Sequence, residues 1–365
     1  MQKFSFQIVP YTLHFQFDAV TSRGILKEKQ TWFVKLFHTD FPGQVGWGEA
    51  GLLPGLSPED PDTFAKDLEE LINYVLPKLE TRPRFWEHLS SIWMEDWKGK
   101  WLPAAWFALE TAWLDWVNGG HQLICDPVFY SGNWKIPING LVWMNPRQTM
   151  EEQAFEKRKQ AFGTIKLKIG ALDWQEELDM IRKIRLEMPP AEISIRLDAN
   201  GAWTFEEAQK KLAQLQEFEI ESIEQPIEKG QWESMSFLCK NSPIPIALDE
   251  ELIGHPLDRH KNSLLEAIDP QYIVLKPSLV GGLGQTHQWI KMAEDLGIGW
   301  WITSMLESNI GLNSIAQLAA QYKPTIPQGL GTGKIYVNNI KSPLAIENGE
   351  LTYSTKETWD FSVIS

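Results

Sequence analysis

The spacing of hydrophobic and polar positions changes near residue 135 of the chain. Residues 4–17 and 30–39 alternate between apolar and polar side chains, which predicts β-strands. Helical spacing follows in residues 57–79, 84–97 and 103–120, and the last of these segments ends in a glycine pair suited to a helix C-cap. We therefore expect the first part of the chain to form an α+β unit.

Beyond this point, short apolar runs alternate with helical stretches. The runs are 136–144, 164–170, 192–201, 220–226, 244–250, 272–278, 299–305 and 325–331. One strand, one helix and two turns take about 25 to 30 residues, which is close to the distance between most of the runs. We predict an α/β fold with a (β/α)₈-type barrel (a modified TIM barrel) over residues 131–340. Residues 1–130, completed by residues 341–365, would form an α+β capping domain.

Three acidic residues, here called the rim carboxylates, stand at the C-terminal ends of consecutive runs: Asp198, Glu224 and Asp249. A parallel barrel gathers these ends on one rim, where catalytic groups lie. A single Asp or Glu is more often a surface ion pair or a helix cap, but three in register favour a shared function. Hard oxygen ligands without clustered His or Cys favour Mg²⁺, with Mn²⁺ as a substitute, over Zn²⁺.

Three lysines accompany the rim carboxylates. Lys166 and Lys168 alternate with apolar residues on one run, so both are expected to point into the barrel, and Lys276 ends a run on the opposite side of the ring. A partly desolvated lysine near a cation has a lowered pKa and can accept a proton. This arrangement predicts removal of a proton next to a carboxylate, with the cation stabilising the negative charge that develops.

Composition narrows the classes of partner. A net charge of −14, spread along the chain, argues against nucleic acid and against an anionic membrane surface. The sequence shows no uninterrupted apolar stretch of about 18 residues, and its start alternates like a strand, so a cytoplasmic location is expected. The 18 tryptophans, six of them between residues 93 and 116, indicate helix packing rather than a ligand platform. The oligomeric state is left open.

The motifs themselves resemble those of the enolase superfamily, specifically its muconate-lactonising-enzyme-like subgroup. The resemblance rests on KLK (166–168), LDANGAW (197–203), IEQP (223–226), LDE (248–250) and LKPS (275–278), with GWGEAGLLPG (46–55) and PAAWFALETAWLDW (103–116) in the capping part. It implies that the rim carboxylates bind Mg²⁺ and that Lys168 is the general base. Lys166 would lower the pKa of Lys168 and contact the substrate carboxylate, and Lys276 would face them across the ring.

Within the subgroup, residues 54–59, 304–320 and 328–340 resemble the segments of dehydratases that act on a cyclic hydroxy acid. A dipeptide epimerase or N-acylamino acid racemase is the alternative, since Lys168 and Lys276 could serve as acid and base on opposite faces. Epimerases usually carry Asp-x-Asp near the eighth strand, whereas residues 329–334 read GLGTGK. A cycloisomerase acting on diacids and a non-catalytic binding protein are further candidates.

The substrate, a small-molecule carboxylate, would be bound by residues around the rim. Ser304, Glu307 and Gly331 follow the seventh and eighth runs, and Asn200 would orient its neighbours at the site. The resemblance also implies specificity loops in the capping part, which contain Thr21, Arg23 and Trp47.

Overall fold

The computed structural model describes residues 3–21, 24–79, 97, 99–256 and 258–364. Its N-terminal part is an antiparallel sheet, in the order β1-β2-β3, with two helices. The strands are β1 (Phe4–Thr21), β2 (Gly24–His38) and β3 (Gly46–Gly51), and the helices are Phe64–Leu79 and Pro103–Val117. The helix predicted at 84–97 lies, apart from Trp97, outside the described residues.

Two glycines let the helix Pro103–Val117 pack directly on β3. A Cβ atom on Gly48 would lie 2.0 Å from the carbonyl oxygen of Ala108, and one on Gly46 would lie 2.1 Å from that of Ala112. Because a side chain at either glycine would collide with helix backbone, only glycine permits this approach. The same helix buries Trp106 in the core of the N-terminal part, as the tryptophan spacing predicts.

The second part is a parallel sheet of seven strands in sequential order. They are β5 (Gly140–Val142), β6 (Thr164–Lys168), β7 (Ser194–Asp198), β8 (Ser222–Glu224), β9 (Ile246–Leu248), β10 (Tyr272–Leu275) and β11 (Gly299–Ile302). Each strand is followed by a helix: Arg147–Lys159, Trp174–Glu187, Phe205–Leu215, Trp232–Asn241, Asp258–Ile268, Leu283–Asp295 and Asn309–Gln321. Shorter helices are Pro127–Tyr130 and Pro277–Val280, with 3₁₀ turns at Gln216–Phe218, Glu250–Leu252 and Ser362–Ile364.

The predicted eighth strand is replaced by isolated contacts, so within the described residues no eighth strand closes the sheet. Gln328 forms a bridge with Ile138, and Gly329 forms one with Thr303. Pro327 has no N–H to donate, and the Gln328 side chain accepts from the Ile302 N–H at 2.7 Å, where a strand carbonyl would otherwise bind. The segment therefore touches both edges of the sheet without being a regular strand.

The C-terminal segment contacts both parts of the molecule. The hairpin of β12 (Leu344–Glu347) and β13 (Glu350–Tyr353) pairs with β4 (Ile136–Pro137), at the start of the first predicted run. Farther on, Phe361 stacks on Trp47 of β3 with ring centroids 4.7 Å apart. The predicted return to the N-terminal sheet is made here and at residues 337 and 338, where the Val337 N–H donates to the His14 carbonyl at 2.9 Å and Asn338 Nδ2 donates to the Thr12 carbonyl at 2.7 Å. The predicted domain limits stay a prediction.

Alternation along the parallel strands positions the polar side chains inside the sheet. On β6, Ile165 and Leu167 are fully buried in the main hydrophobic core. Lys166 and Lys168, on the other face, point toward acidic residues of neighbouring strands. No helix in the described ranges is long and apolar enough to cross a membrane.

Candidate active site

Two lysines and two acidic residues lie side by side at the ends of β6, β7 and β8. Lys168 pairs in register with Asp198, which pairs in turn with Glu224. The Nζ of Lys166 donates to Glu224 Oε2 at 2.7 Å and lies 3.2 Å from Asp198 Oδ2. Lys168 Nζ donates to that same aspartate oxygen at 3.1 Å. One oxygen of Asp198 therefore faces both ammonium groups.

The third rim carboxylate is paired from the opposite side of the ring. Asp249 directly follows β9, and Lys276 directly follows β10. Lys276 Nζ donates to Asp249 Oδ1 at 2.5 Å and also contacts Oδ2. The structure thus brings together all three rim carboxylates and all three lysines that the spacing of the runs singled out.

Asn200 holds the side chain of Lys168 from a second direction. Its Oδ1 accepts from Lys168 Nζ at 2.9 Å, and its Nδ2 donates to Glu250 Oε1 at 3.0 Å. The backbone at Asn200 has a φ of 45°, a left-handed conformation that asparagine tolerates better than most residues. The amide therefore connects the lysine to an acidic residue beyond the rim carboxylates.

Gln225 is a positioning residue that sequence reasoning missed. It directly follows Glu224, has a φ of 40°, and accepts at Oε1 from the backbone N–H of Asp249 at 3.1 Å and of Glu251 at 3.3 Å. Glu251 in turn accepts from Trp232 Nε1 at 2.8 Å. The end of β8 is thereby tied to the residue that carries the third carboxylate. The IEQP motif contained Gln225, but its residue type gave no signal of this bond.

Burial and charge shift the pKa values of the rim carboxylates in different directions. Burial raises the pKa of Glu224 to about 7, although Lys166 opposes the rise. The pKa of Asp249 is also raised by burial, although Lys276 opposes the change. For Asp198, burial acts in the same direction, but the attraction of lysines, Lys166 first, outweighs it and lowers the pKa. The three carboxylates therefore do not ionise alike.

The pKa values of Lys166 and Lys276 are raised. Burial lowers the pKa of Lys166, but the attraction of the rim carboxylates outweighs burial and the net change is upward. At Lys276, burial is likewise outweighed, mainly by Asp249, and the pKa is raised. Each of these two ammonium groups faces carboxylates at close range, which favours its charged form.

The chemistry of the rim carboxylates fits a hard divalent cation. All three are buried, and the Oε1 atom of Glu224 has no hydrogen-bond partner among the described residues. A buried carboxylate oxygen without a donor is costly and is commonly satisfied by a ligand or an ion. Across the described ranges, no three Asp, Glu, His or Cys side chains are arranged around one point in metal-binding geometry. The rim carboxylates bond instead to Lys166, Lys168 and Lys276.

One cavity contains most of the predicted substrate-binding residues. Its lining includes Thr21, Asn200, Ser304 and Gly331, together with the three lysines and Asp198. Sequence reasoning missed other lining residues: Leu26, Pro54, Leu56, Asn139, Leu141, Trp143, Thr303, Met305, Leu306, Gly329 and Thr332. Asn139 and Trp143 belong to the first run, whose irregular pattern concealed their direction. Arg23 lies outside the described residues.

Glu307 and Trp47 are placed away from the cavity, in contrast to the expectation. Glu307 is fully buried, and its carboxylate accepts from Ser278 Oγ at 2.5 Å and from the Met305 N–H at 2.7 Å. Trp47 stacks on Phe361 and belongs to a buried cluster with Phe33 and Ile310, and it does not line the cavity. Both side chains are therefore occupied by contacts within the protein.

An antiparallel sheet with helices beside a parallel α/β sheet, with carboxylates and lysines at the strand ends, defines a barrel-type enzyme fold with a capping part. The sequence model of the enolase C-terminal domain-like family matches residues 149–357, which is more than half of the chain. The chain belongs to the enolase superfamily.

Individual relatives agree with this assignment. An o-succinylbenzoate synthase from Desulfotalea psychrophila is 44% identical over 361 residues, covering 94% of this chain and 97% of the relative. The crystal structure of MenC from the same organism superposes with a TM-score of 0.83 and 39% identity, over 96% of this chain and 99% of that one. A dipeptide epimerase from Enterococcus faecalis, complexed with Mg and a dipeptide, shares the fold at a TM-score of 0.81 and 21% identity, over 98% of each chain.

Proposed function

We propose that this protein catalyses the o-succinylbenzoate synthase reaction of menaquinone biosynthesis. The reaction eliminates water from 2-succinyl-6-hydroxy-2,4-cyclohexadiene-1-carboxylate and gives 2-succinylbenzoate, so the enzyme is a carbon–oxygen lyase. The observation that carries the proposal is the pair of lysines, Lys168 and Lys276, in the lining of one cavity beside the rim carboxylates. The similarity to a curated synthase over almost the whole chain supports the choice of substrate.

Asp198, Glu224 and Asp249 would hold the metal ion, Mg²⁺ with Mn²⁺ as a substitute. When bound, the ion supplies positive charge that stabilises the negative charge developing on the substrate carboxylate during proton removal. The partnerless Oε1 of Glu224 and the hard oxygen character of the three side chains support this assignment. Lys166, between two of the carboxylates, would contact the substrate carboxylate.

Lys168 would act as the base. Its Nζ is fixed by Asp198 Oδ2 and Asn200 Oδ1 at a wall of the cavity, and as a neutral amine it would take the proton from the carbon next to the substrate carboxylate. The same lysine would then give that proton to the departing hydroxyl, so that the C–H and C–O bonds break and water leaves. Lys276, on the opposite side, would stabilise the intermediate electrostatically.

The apolar lining would keep water from the reacting carbon. Leu26, Leu53, Leu56, Leu141 and Trp143 contribute apolar side chains to the cavity lining. We place residues 1–130 and 341–365 in a capping domain and residues 131–340 in a barrel. The contacts of Gln328 and Gly329 with both sheet edges support reading that segment as the eighth position of the barrel.

The test is an ultraviolet assay with the cyclohexadiene hydroxy acid and Mg²⁺, run on the wild type and on Lys168→Ala. We expect the absorbance of the precursor to fall with the wild type only. If neither protein turns the compound over, the dehydratase assignment is wrong. The next experiment would then follow α-proton exchange in D₂O over a library of dipeptides and N-acylamino acids.

A dipeptide epimerase or N-acylamino acid racemase of the same superfamily is the alternative. A hydrophobic dipeptide epimerase from a Flavobacteria bacterium is 26% identical over 87% of this chain and 86% of that relative. In place of two aspartates, the segment after the eighth position offers Gly331 and Thr332 to the cavity, and the hydroxyls of Thr332 and Ser304 lie 2.6 Å apart. A substrate ammonium would find no carboxylate in this segment, which favours the dehydratase.

A further inference from the structure

We propose that Lys29, a residue of the N-terminal sheet, is a positioning residue that sets the shape of one cavity wall and thereby the affinity for substrate. The wall is the segment Ser304–Leu306, all three residues of which line the cavity. The inference rests on the proposed function for the choice of substrate. Lys29 itself does not line the cavity and would act only through the wall.

The wall has a backbone conformation that needs support. Leu306 has a φ of 59°, in the left-handed region, although it carries a branched side chain. A residue of this kind is strained in that region and stays there only when the surroundings fix it. The segment therefore depends on contacts from outside itself.

Lys29 supplies those contacts from β2. Its Nζ donates to the carbonyl oxygens of Met305 and Leu306, at 3.0 Å each, and the Tyr336 hydroxyl donates to the Leu306 oxygen at 2.6 Å. The lysine is 2% exposed, so its ammonium depends on these acceptors. Two consecutive carbonyls thus point toward the N-terminal sheet, at the residue where the backbone is in the left-handed conformation.

Space for the ammonium is provided by a glycine on the neighbouring strand. A Cβ atom on Gly51 of β3 would lie 2.6 Å from Lys29 Nζ. Real side chains do not approach that closely, so an alanine at this position would push the ammonium away from the wall. The glycine therefore offers a second way to disturb the same contact without removing the charge.

Two buried carboxylates fix Met305 of the wall and the residues that follow the wall. Glu307 accepts from the Met305 N–H at 2.7 Å. Glu49, on β3, accepts from the N–H groups of Ser308 and Gly311 at 2.8 and 2.9 Å, in the first turn of the helix Asn309–Gln321. The opposite charges compensate one another in this buried region, and two of the three come from the capping sheet. The wall therefore belongs to the part of the chain that contains the parallel sheet, but side chains of the N-terminal sheet hold it in place.

The primary test compares Lys29→Met with Lys27→Met. Methionine keeps the apolar stem and removes the donors, and Lys27 is an exposed lysine two residues earlier on the same strand. We expect Lys29→Met to raise KM for the cyclohexadiene substrate by about tenfold or more while kcat changes less than about threefold. The wall would contact the substrate at a point away from the reacting carbon. Displacing the wall should therefore weaken binding of the ground state and of the transition state alike. Lys27→Met should match the wild type.

Amide hydrogen exchange of the peptide around residues 303–311 gives a readout that does not depend on turnover. Lys29→Met should speed exchange there, and Lys27→Met should not. An unchanged KM in Lys29→Met, whether or not kcat falls, would overturn the inference. Unchanged amide exchange in that variant would overturn it as well. If Lys29→Met does not fold, Gly51→Ala decides by the same two measurements, with a smaller rise in KM expected. No turnover by the wild type would count against the proposed function alone, because the exchange comparison still decides whether Lys29 holds the wall.

Discussion

Two charged layers lie inside the parallel sheet, only two residues apart on β7, and they are built differently. In the inner layer, Arg196 donates through Nε and Nη2 to Glu221 at 2.9 and 2.8 Å and through Nη1 to the Pro327 carbonyl at 2.7 Å. Its guanidinium lies 4.2 Å from the ring centroid of Trp301. In the outer layer, Asp198 shares Lys166 with Glu224, and the Oε1 atom of Glu224 has no partner in the described part of the chain.

The difference separates stability from function. The inner layer is satisfied by protein groups alone, which is how a buried charge supports a fold. The outer layer concentrates like charges and leaves an acceptor unused, which costs stability and is expected where a ligand completes the interactions. Substitutions in the two layers should therefore have opposite consequences.

Removing the proposed base should have the largest effect. We expect Lys168→Ala to lower kcat by at least about 10³-fold, because alanine removes the group proposed to take and return the proton, while the thermal unfolding temperature changes little. Turnover and circular dichroism check the two halves of this expectation. Lys240→Ala, at an exposed helix position, is the control. Retention of more than about a tenth of wild-type activity by Lys168→Ala would contradict the assignment.

Removing the inner arginine should act on stability. Arg196→Leu leaves the Pro327 carbonyl and Glu221 without their donor, and we expect a loss of roughly 3–5 kcal/mol in the free energy of unfolding. Urea denaturation measures it. The folded fraction should keep most of its turnover, because the inner layer does not line the cavity. A loss of turnover without a loss of stability would show that the two layers are not separable in this way.

A further buried carboxylate, outside both layers, tests whether burial alone gives a pH signature. Burial raises the pKa of Glu59 to about 7, although its carboxylate accepts from the Ala104 N–H at 2.7 Å. Between the ordinary value of 4.5 and about 7, the unfolded chain loses this proton and the folded chain keeps it. Stability should therefore fall by about 3 kcal/mol as pH rises through this window and stay level above it.

Glu59→Gln removes this titration. The stability of the variant relative to the wild type should grow from pH 4.5 to pH 7.5, as measured by chemical denaturation at several pH values. The exposed Glu69→Gln should follow the wild-type curve. Parallel curves for Glu59→Gln and the wild type would rule out Glu59 as the source.

The smallest expected effect sharpens the comparison from the outer layer. Glu224→Gln keeps the shape of the side chain but removes its negative charge, and burial already opposes the ionisation of this carboxyl group. We expect Mg²⁺ affinity to fall at least about tenfold in titration calorimetry, while stability in the presence of a chelator is equal to or above that of the wild type. Lower stability under chelation would mean that Glu224 serves the fold as Glu221 does.

The sequence was most informative where strand geometry fixes direction. Lys166 and Lys168 alternate with apolar residues, and the rim carboxylates end successive runs, so their convergence could be predicted from the period of a strand. The eighth strand could not, because Pro327 and the side chain of Gln328 replace ladder bonds with local contacts. The apolar pattern of residues 325–331 would be the same for a regular strand and for this irregular segment.

Loops were less predictable because their backbone turns decide where side chains go. Ser304 and Glu307 are three residues apart, yet only the first reaches the cavity, since the chain reverses at the left-handed Leu306. Gln225 acts through a side-chain bond to backbone N–H groups 24 and 26 residues away, which no local pattern indicates. The pKa of Lys166 depends on the charges of Asp198, Glu224 and Asp249, which end three other runs. The direction of its shift could not be predicted without the distances to these carboxylates.

The lateral register of Lys168, Asp198 and Glu224 limits how the gene can change length. Because the side-chain period of a strand is two, one inserted or deleted codon within β7 would turn Asp198 and Arg196 outward and bring leucine and isoleucine into the interior. A single event would then remove the proposed metal ligand and the structural ion pair together. Insertions in the helices and loops outside the sheet leave this row intact, so variation in chain length should be confined to those segments.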